Sequence, residues 1–187
     1  MRLFVAVIPP AEAVEELRAA TAALHSELGP TLRWTRPEQW HLTLAFLAEV
    51  DDATRTELTG RLERVAARTA PLRLSVGPGG RFGDRVLWAR VRGDTDRLRR
   101  LAGSVRAAVR RCGLPVEDRP YRAHLTLART NGADLRSAVA RLADFDGSPW
   151  TASRLHLVRS RLGAGPGRTS LYESIARWPL SATDGSP

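Results

Sequence analysis

The stretch Arg36-Pro37-Glu38-Gln39-Trp40-His41-Leu42-Thr43-Leu44-Ala45 recurs as Arg119-Pro120-Tyr121-Arg122-Ala123-His124-Leu125-Thr126-Leu127-Ala128. Seven of the ten positions are identical, so the chain carries an internal duplication of a strand-forming segment. Side chains two apart in a strand share a face. His41 and Thr43 therefore point one way and Leu42 and Leu44 the other, and His124 and Thr126 oppose Leu125 and Leu127 in the same manner. Leucines on one face build core. A histidine and a threonine on the other, in duplicate, make sense lining a cleft. Packing of the two copies about a pseudo-twofold axis would bring two imidazoles and two hydroxyls together.

Outward from the repeat, apolar periodicity predicts strands interleaved with amphipathic helices. A strand over 3–8 is stopped by Pro9-Pro10, which open a helix carrying Val14, Leu17, Thr21, Leu24 and Leu28 and ended by Gly29-Pro30. The first repeat strand covers 40–47. Asp51-Asp52 can cap a helix with Leu58, Leu62 and Val65 on its apolar face. Strands over 72–76 and 86–91 flank Gly77-Pro78-Gly79-Gly80, read as a turn. A helix over 95–111 presents Leu98, Leu101, Val105 and Val109 and stops at Gly113. The second repeat strand covers 124–129, and Leu135, Val139 and Leu142 mark another helix. Strands over 154–159 and 170–176 close the chain, and small polar residues 181–187 read as a disordered tail. Short strands joined without helices favour antiparallel pairing, hence an α+β fold.

Composition narrows the chemistry. The 187 residues carry 29 basic side chains against 20 acidic ones, and every basic one is arginine. Without lysine, lysyl-adenylate ligases, Schiff-base enzymes and Walker-type phosphate loops are excluded. The single cysteine, Cys112, excludes an internal disulfide and multi-cysteine zinc sites. No metal or cofactor signature is present, since neither repeat holds an acidic residue beyond Glu38. The first apolar run is too short for a signal peptide or membrane span, which leaves a cytoplasmic location as the expectation. The net charge of +9 suggests an anionic partner. Two histidines can divide proton transfer between a neutral base and a protonated acid. Threonine hydroxyls and arginine guanidinium groups bind phosphate oxygens. In-line displacement at phosphorus needs a base and an acid on opposite sides, which paired histidines across a cleft supply.

The motifs His41-Leu42-Thr43-Leu44 and His124-Leu125-Thr126-Leu127 resemble the paired His-x-Thr-x signature of the two-histidine phosphoesterase superfamily. Within it, the chain is similar to the bacterial RNA 2′,3′-cyclic phosphodiesterases, historically called 2′-5′ RNA ligases. Flanking segments extend the likeness, among them Arg2-Leu3-Phe4-Val5-Ala6, Phe82 with Val86-Leu87-Trp88, and Trp178-Pro179-Leu180. The resemblance implies two pseudo-symmetric lobes over residues 1–180, with antiparallel sheets lining a central cleft and helices outside. It implies His41 as proton donor, His124 as proton acceptor, and Thr43, Thr126 and Arg129 on the phosphate. Arg36, Arg122, Trp34 and Phe82 are candidate substrate contacts, and His156 has one strand face in two available to the cleft. The implied partner is RNA ending in a 2′,3′-cyclic phosphate, tRNA fragments among them, with no membrane partner and a monomeric state. Reversible 2′-5′ ligation without ATP, turnover of small cyclic nucleotides and a non-catalytic RNA-binding module are the alternatives. Two departures stand out: Ala123 where the family has proline, and Ala48 where it has glycine.

Overall fold

The computed structural model describes residues 1–165 and 169–183. Nine strands and four α-helices make up the regular structure of the described residues. They are β1 (Arg2–Val7), α1 (Ala11–Leu28), β2 (Arg33–Trp34), β3 (Leu42–Glu49), α2 (Asp52–Ala67), β4 (Leu72–Phe82), β5 (Val86–Gly93), α3 (Thr95–Arg111), β6 (His124–Arg129), α4 (Arg136–Arg141), β7 (Trp150–Ala152), β8 (Arg154–Arg161) and β9 (Leu171–Pro179). A short 3₁₀ turn, Pro37–Gln39, leads into β3. The strands form two antiparallel sheets, ordered β3-β1-β8-β9 and β2-β6-β5-β4-β7, so the α+β expectation holds. One repeat strand lies in each sheet, and the chain's two ends share the first.

Local rules account for most boundaries. Asp51 caps α2 by accepting a hydrogen bond from the Thr54 amide at 2.8 Å. The apolar stripe of α3 is fully inside, with Leu98, Leu101, Val105 and Val109 buried, and Gly113 ends it at φ +73°, a left-handed position suited to glycine. Gly29 stays right-handed at φ −50°, which leaves Pro30 as the stop signal of α1. One buried cluster takes Leu3, Val5 and Val7 of β1, the leucines of both repeats and the α3 stripe. Both sheets thus share a core. No helix among the described residues is long and apolar enough to cross a membrane.

Two expectations fail. Gly77-Pro78-Gly79-Gly80 is no turn: β4 runs through it, and the chain reverses at residues 83–85. These glycines serve close packing. A Cβ on Gly80 would sit 2.3 Å from the Trp88 ring, and one on Gly79 would sit 2.8 Å from Leu142. The tail is not wholly detached either, because the Ser181 and Ala182 amides donate to the Ala66 and Thr69 carbonyls at the end of α2. Residues 184–187 of that expected tail lie outside the described residues.

Candidate active site

In both copies the strand periodicity is realised. Leu42, Leu44, Leu125 and Leu127 are at most 1% exposed, whereas His41, Thr43, His124 and Thr126 are half-buried on the opposite face. Each imidazole is held by the carbonyl two residues before it. His41 Nδ1 lies 2.6 Å from the Gln39 oxygen and His124 Nδ1 lies 2.7 Å from the Arg122 oxygen. A carbonyl only accepts, so each Nδ1 must carry the hydrogen. The neutral tautomer is thereby set, and Nε2 is left as the nitrogen that gains and loses a proton. Neither Thr43 nor Thr126 spends its hydroxyl on a partner among the described residues.

The alternation then breaks at the same place in both strands. Register shifts set Thr43 opposite Ala6 but Ala45 opposite Val5, and Thr126 opposite Trp88 but Ala128 opposite Leu87. Leu44 and Leu127 are the extra residues of these bulges. The parity flips after each, so the alanines at 45 and 128 turn into the core and the next side chain returns to the histidine face. That side chain is Phe46 in the first copy and Arg129 in the second. Phe46 is 63% exposed with its ring 6.1 Å from Phe4. Strict alternation along 41–47 hides Phe46, which only the bulge reveals. Arg33 escapes a motif search for a similar reason: it acquires meaning only as the cross-strand partner of Arg129.

Aromatic rings enclose both imidazoles. His41 packs 4.6 Å from Phe4 and 5.3 Å from Tyr172, edge-on to the latter. His124 meets Phe82 edge-on at 4.9 Å and Trp88 at 6.2 Å. Burial disfavours the charged forms, so both histidines titrate below the ordinary value despite the carbonyl bonds that oppose the shift. The next contributions differ: the charge of His124 acts on His41, and the charge of Arg129 acts on His124. The two imidazoles thus lie within electrostatic reach of each other across the sheets.

The remaining candidates divide. Phe82 stands beside His124, as its ring contact shows. Arg122 contributes its carbonyl to His124, while its side chain lines a cavity of about 330 Å³ with Trp88, Arg90, Tyr121 and His124. Arg36 is ion-paired with Glu38 at 3.8 Å and makes no hydrogen bond to either histidine. Trp34 is misplaced as a cleft residue. It pairs with Ala128, on the core side of the β6 bulge, and its ring packs 5.2 Å from His25 of α1. His156 does stand on the cleft face, opposite Ala6, which is in turn opposite Thr43. Sequence reasoning missed Arg106 of α3, which donates to the Arg119 carbonyl at 2.8 Å and to the Leu44 carbonyl at 3.4 Å. Its guanidinium also lies over the Tyr121 ring at 5.7 Å, so one side chain ties the two repeats together. Among the described residues no group of three His, Cys, Asp or Glu is disposed to hold a metal ion.

Two antiparallel sheets, each presenting a bulged His-x-Thr strand with the imidazole Nε2 free, define a two-histidine cleft protein. The chain belongs to the 2′-5′ RNA ligase superfamily, whose profile matches residues 6–164. An RNA 2′,3′-cyclic phosphodiesterase of Bacillus subtilis is 32% identical over 154 residues, covering 80% of this chain and 81% of the relative. One of Geobacillus stearothermophilus is 29% identical over 189 residues; the match takes in 97% of this chain but only 58% of that relative's length. The crystal structure of Escherichia coli LigT in apo form superposes with a TM-score of 0.80 at 26% identity, covering 97% of this chain and 98% of that one.

Proposed function

We propose that the chain hydrolyses the 2′,3′-cyclic phosphate at RNA ends to a 2′-phosphomonoester, with His124 as base and His41 as acid. His124 Nε2 takes a proton from water as the water oxygen bonds to phosphorus. The bond from phosphorus to the 3′ oxygen breaks, and the proton on His41 Nε2 passes to that oxygen. Thr43, Thr126 and Arg129 hold the phosphate oxygens, whose charge grows in the transition state. Arg129 favours the neutral form of His124, as a base requires, whereas the charge acting on His41 comes from His124 itself.

The observation that carries this reading is the matched pair of imidazoles, each with Nδ1 donated to a backbone carbonyl and Nε2 available. The phosphodiesterase names of the relatives support the substrate class. On this reading residues 1–180 act as one bilobal unit, a monomer working in the cytoplasm on RNA fragments that include those of tRNA. The test is incubation with an oligonucleotide ending in a 2′,3′-cyclic phosphate in the presence of EDTA. A 2′-phosphate product is expected, lost in both His41→Ala and His124→Ala. Joined RNA as the main product would point to ligation, and undiminished turnover by both variants would remove the assigned mechanism.

A further inference from the structure

The cleft face of the first sheet carries a second cationic group beyond the phosphate contacts already described. Backbone pairing makes a continuous row across its four strands: Thr43 of β3, Ala6 of β1, His156 of β8 and Arg177 of β9. Directly paired residues of antiparallel strands share a face, so His156 and Arg177 stand on the face that holds Thr43 and His41. Independent packing agrees. Ala6, Phe4 and Val158 form a small cluster with Tyr172 apart from the main core, and Phe4 and Tyr172 are the rings against His41. Arg154 precedes His156 by two residues and so shares its face.

Arg154 lies diagonal to Arg177 across the β8–β9 pair, so two like charges crowd one patch of this face. Neither Arg154 nor Arg177 has a carboxylate partner among the described residues, although many other arginines of the chain do. Both arginine charges, after burial, hold His156 below the ordinary histidine range. The imidazole is also oriented: its Nδ1 lies 2.9 Å from Ser174 Oγ, which has the Ala176 carbonyl as its own acceptor. Ser174 is the residue paired with Val158 in the same cleft-facing set. Two strand spacings, about 10 Å, separate the Thr43 and His156 backbones, and the single small residue between them is Ala6. Ala6 is itself fully buried among Phe4, Val158 and Tyr172, so a group bound against Thr43 reaches His156 by lying over the side chains that cover it.

We infer that His156, Arg177 and Arg154 form a second phosphate subsite, which takes the phosphodiester on the 5′ side of the terminal nucleotide whose cyclic phosphate is cleaved. The inference rests on the proposed function for the position of the cyclic phosphate. It makes the preferred substrate an RNA end rather than a free cyclic mononucleotide, because only the former carries an anion at that distance. Arginine suits the task through its forked donors, and the imidazole adds a donor at Nε2 when the arriving anion offsets the arginine charges and it takes up a proton.

The test compares a nucleoside 2′,3′-cyclic phosphate bearing a free 5′-hydroxyl with the same molecule bearing a 5′-phosphate. The native protein is expected to favour the 5′-phosphorylated form in kcat/KM by about tenfold, as one charge-assisted contact provides. In the double variant His156→Asn, Arg177→Gln that preference should fall to near unity. Raising the salt concentration should erode it in the native protein and leave the variant's ratio unmoved. No preference in the native protein, a preference that survives in the variant, or an equal loss on both substrates would overturn the subsite. Should neither molecule be turned over, the oligonucleotide assay decides the proposed function separately, and calorimetry still decides the subsite. A nucleoside 2′,5′-bisphosphate should bind about tenfold tighter than the 2′-monophosphate to the native protein but not to the variant, and equal affinities for the native protein would refute it.

Discussion

The two repeat strands share their histidine, their threonine, the carbonyl clasp on Nδ1 and the bulge that follows, yet present different side chains at the bulge exit. The first sheet offers Phe46 and the second Arg129. A duplicated strand supplies two identical imidazoles, but acid and base need unlike surroundings. On the proposed roles, the difference at one position per copy supplies that inequality: a cation beside His124 and an aromatic surface on the side of His41. Backbone geometry is shared between the copies, and electrostatics is what separates them.

The largest effect should come from removing either imidazole. His41→Ala and His124→Ala should each lower kcat by about 10³-fold on a cyclic-phosphate RNA end, within the usual range for a lost general acid or base. The double variant should be little worse than either single one, because the two act as a unit. Next, Arg129→Ala should cost about 10- to 100-fold in kcat/KM and move the His124 titration upward, since the neighbouring charge that depresses it is gone. Nuclear magnetic resonance titration checks the second point, and an unmoved or lowered His124 would break the proposed asymmetry. Phe46→Ala should act mainly through KM, by about tenfold, if a base rests on the exposed ring. An Arg129-like loss in kcat would mean that the two exits play equivalent roles.

Arg106 tests whether the copies must be held together. Arg106→Met removes the bonds to Leu44 and Arg119 and should lower the midpoint of thermal unfolding by several degrees. It should slow both single-histidine functions alike. The smallest effect concerns stability and pH. His41 and His124 titrate lower when folded than when unfolded, so the unfolded chain binds more protons between the two values. These groups therefore lessen stability as pH falls below about 6.5 and leave it unaffected above that. Urea midpoints at pH 7.5 and 5.5 should differ less in a His41→Gln, His124→Gln double variant than in the native protein.

Much of this was legible in the chain. The duplication, the faces of Leu42, Thr43, Leu125 and Thr126, the extent of α3 and the boundaries of β6 all follow from periodicities that packing reinforces. What was not legible depends on the partner strand or on tertiary packing. The bulges at Leu44 and Leu127 are properties of a strand pair, so Phe46 stayed hidden. Gly77, Gly79 and Gly80 have the composition of a turn, but their missing side chains make room for Arg92, Leu142 and Trp88. Trp34 sits two residues before Arg36 in the chain and still faces α1, because pairing with Ala128 sets its direction. His156 needed the register of three strands before its face was known.

The central claim is that the two imidazoles divide the proton transfers, and the pH dependence of kcat/KM on a cyclic-phosphate RNA end tests it most directly. A bell is expected, because the acid must be charged and the base neutral, with its maximum below about 6.5 since burial depresses both groups. Residual activity of His41→Ala should lose the fall on the alkaline side, and that of His124→Ala the fall on the acid side. A flat native profile, or a variant that keeps both limbs, would contradict the account.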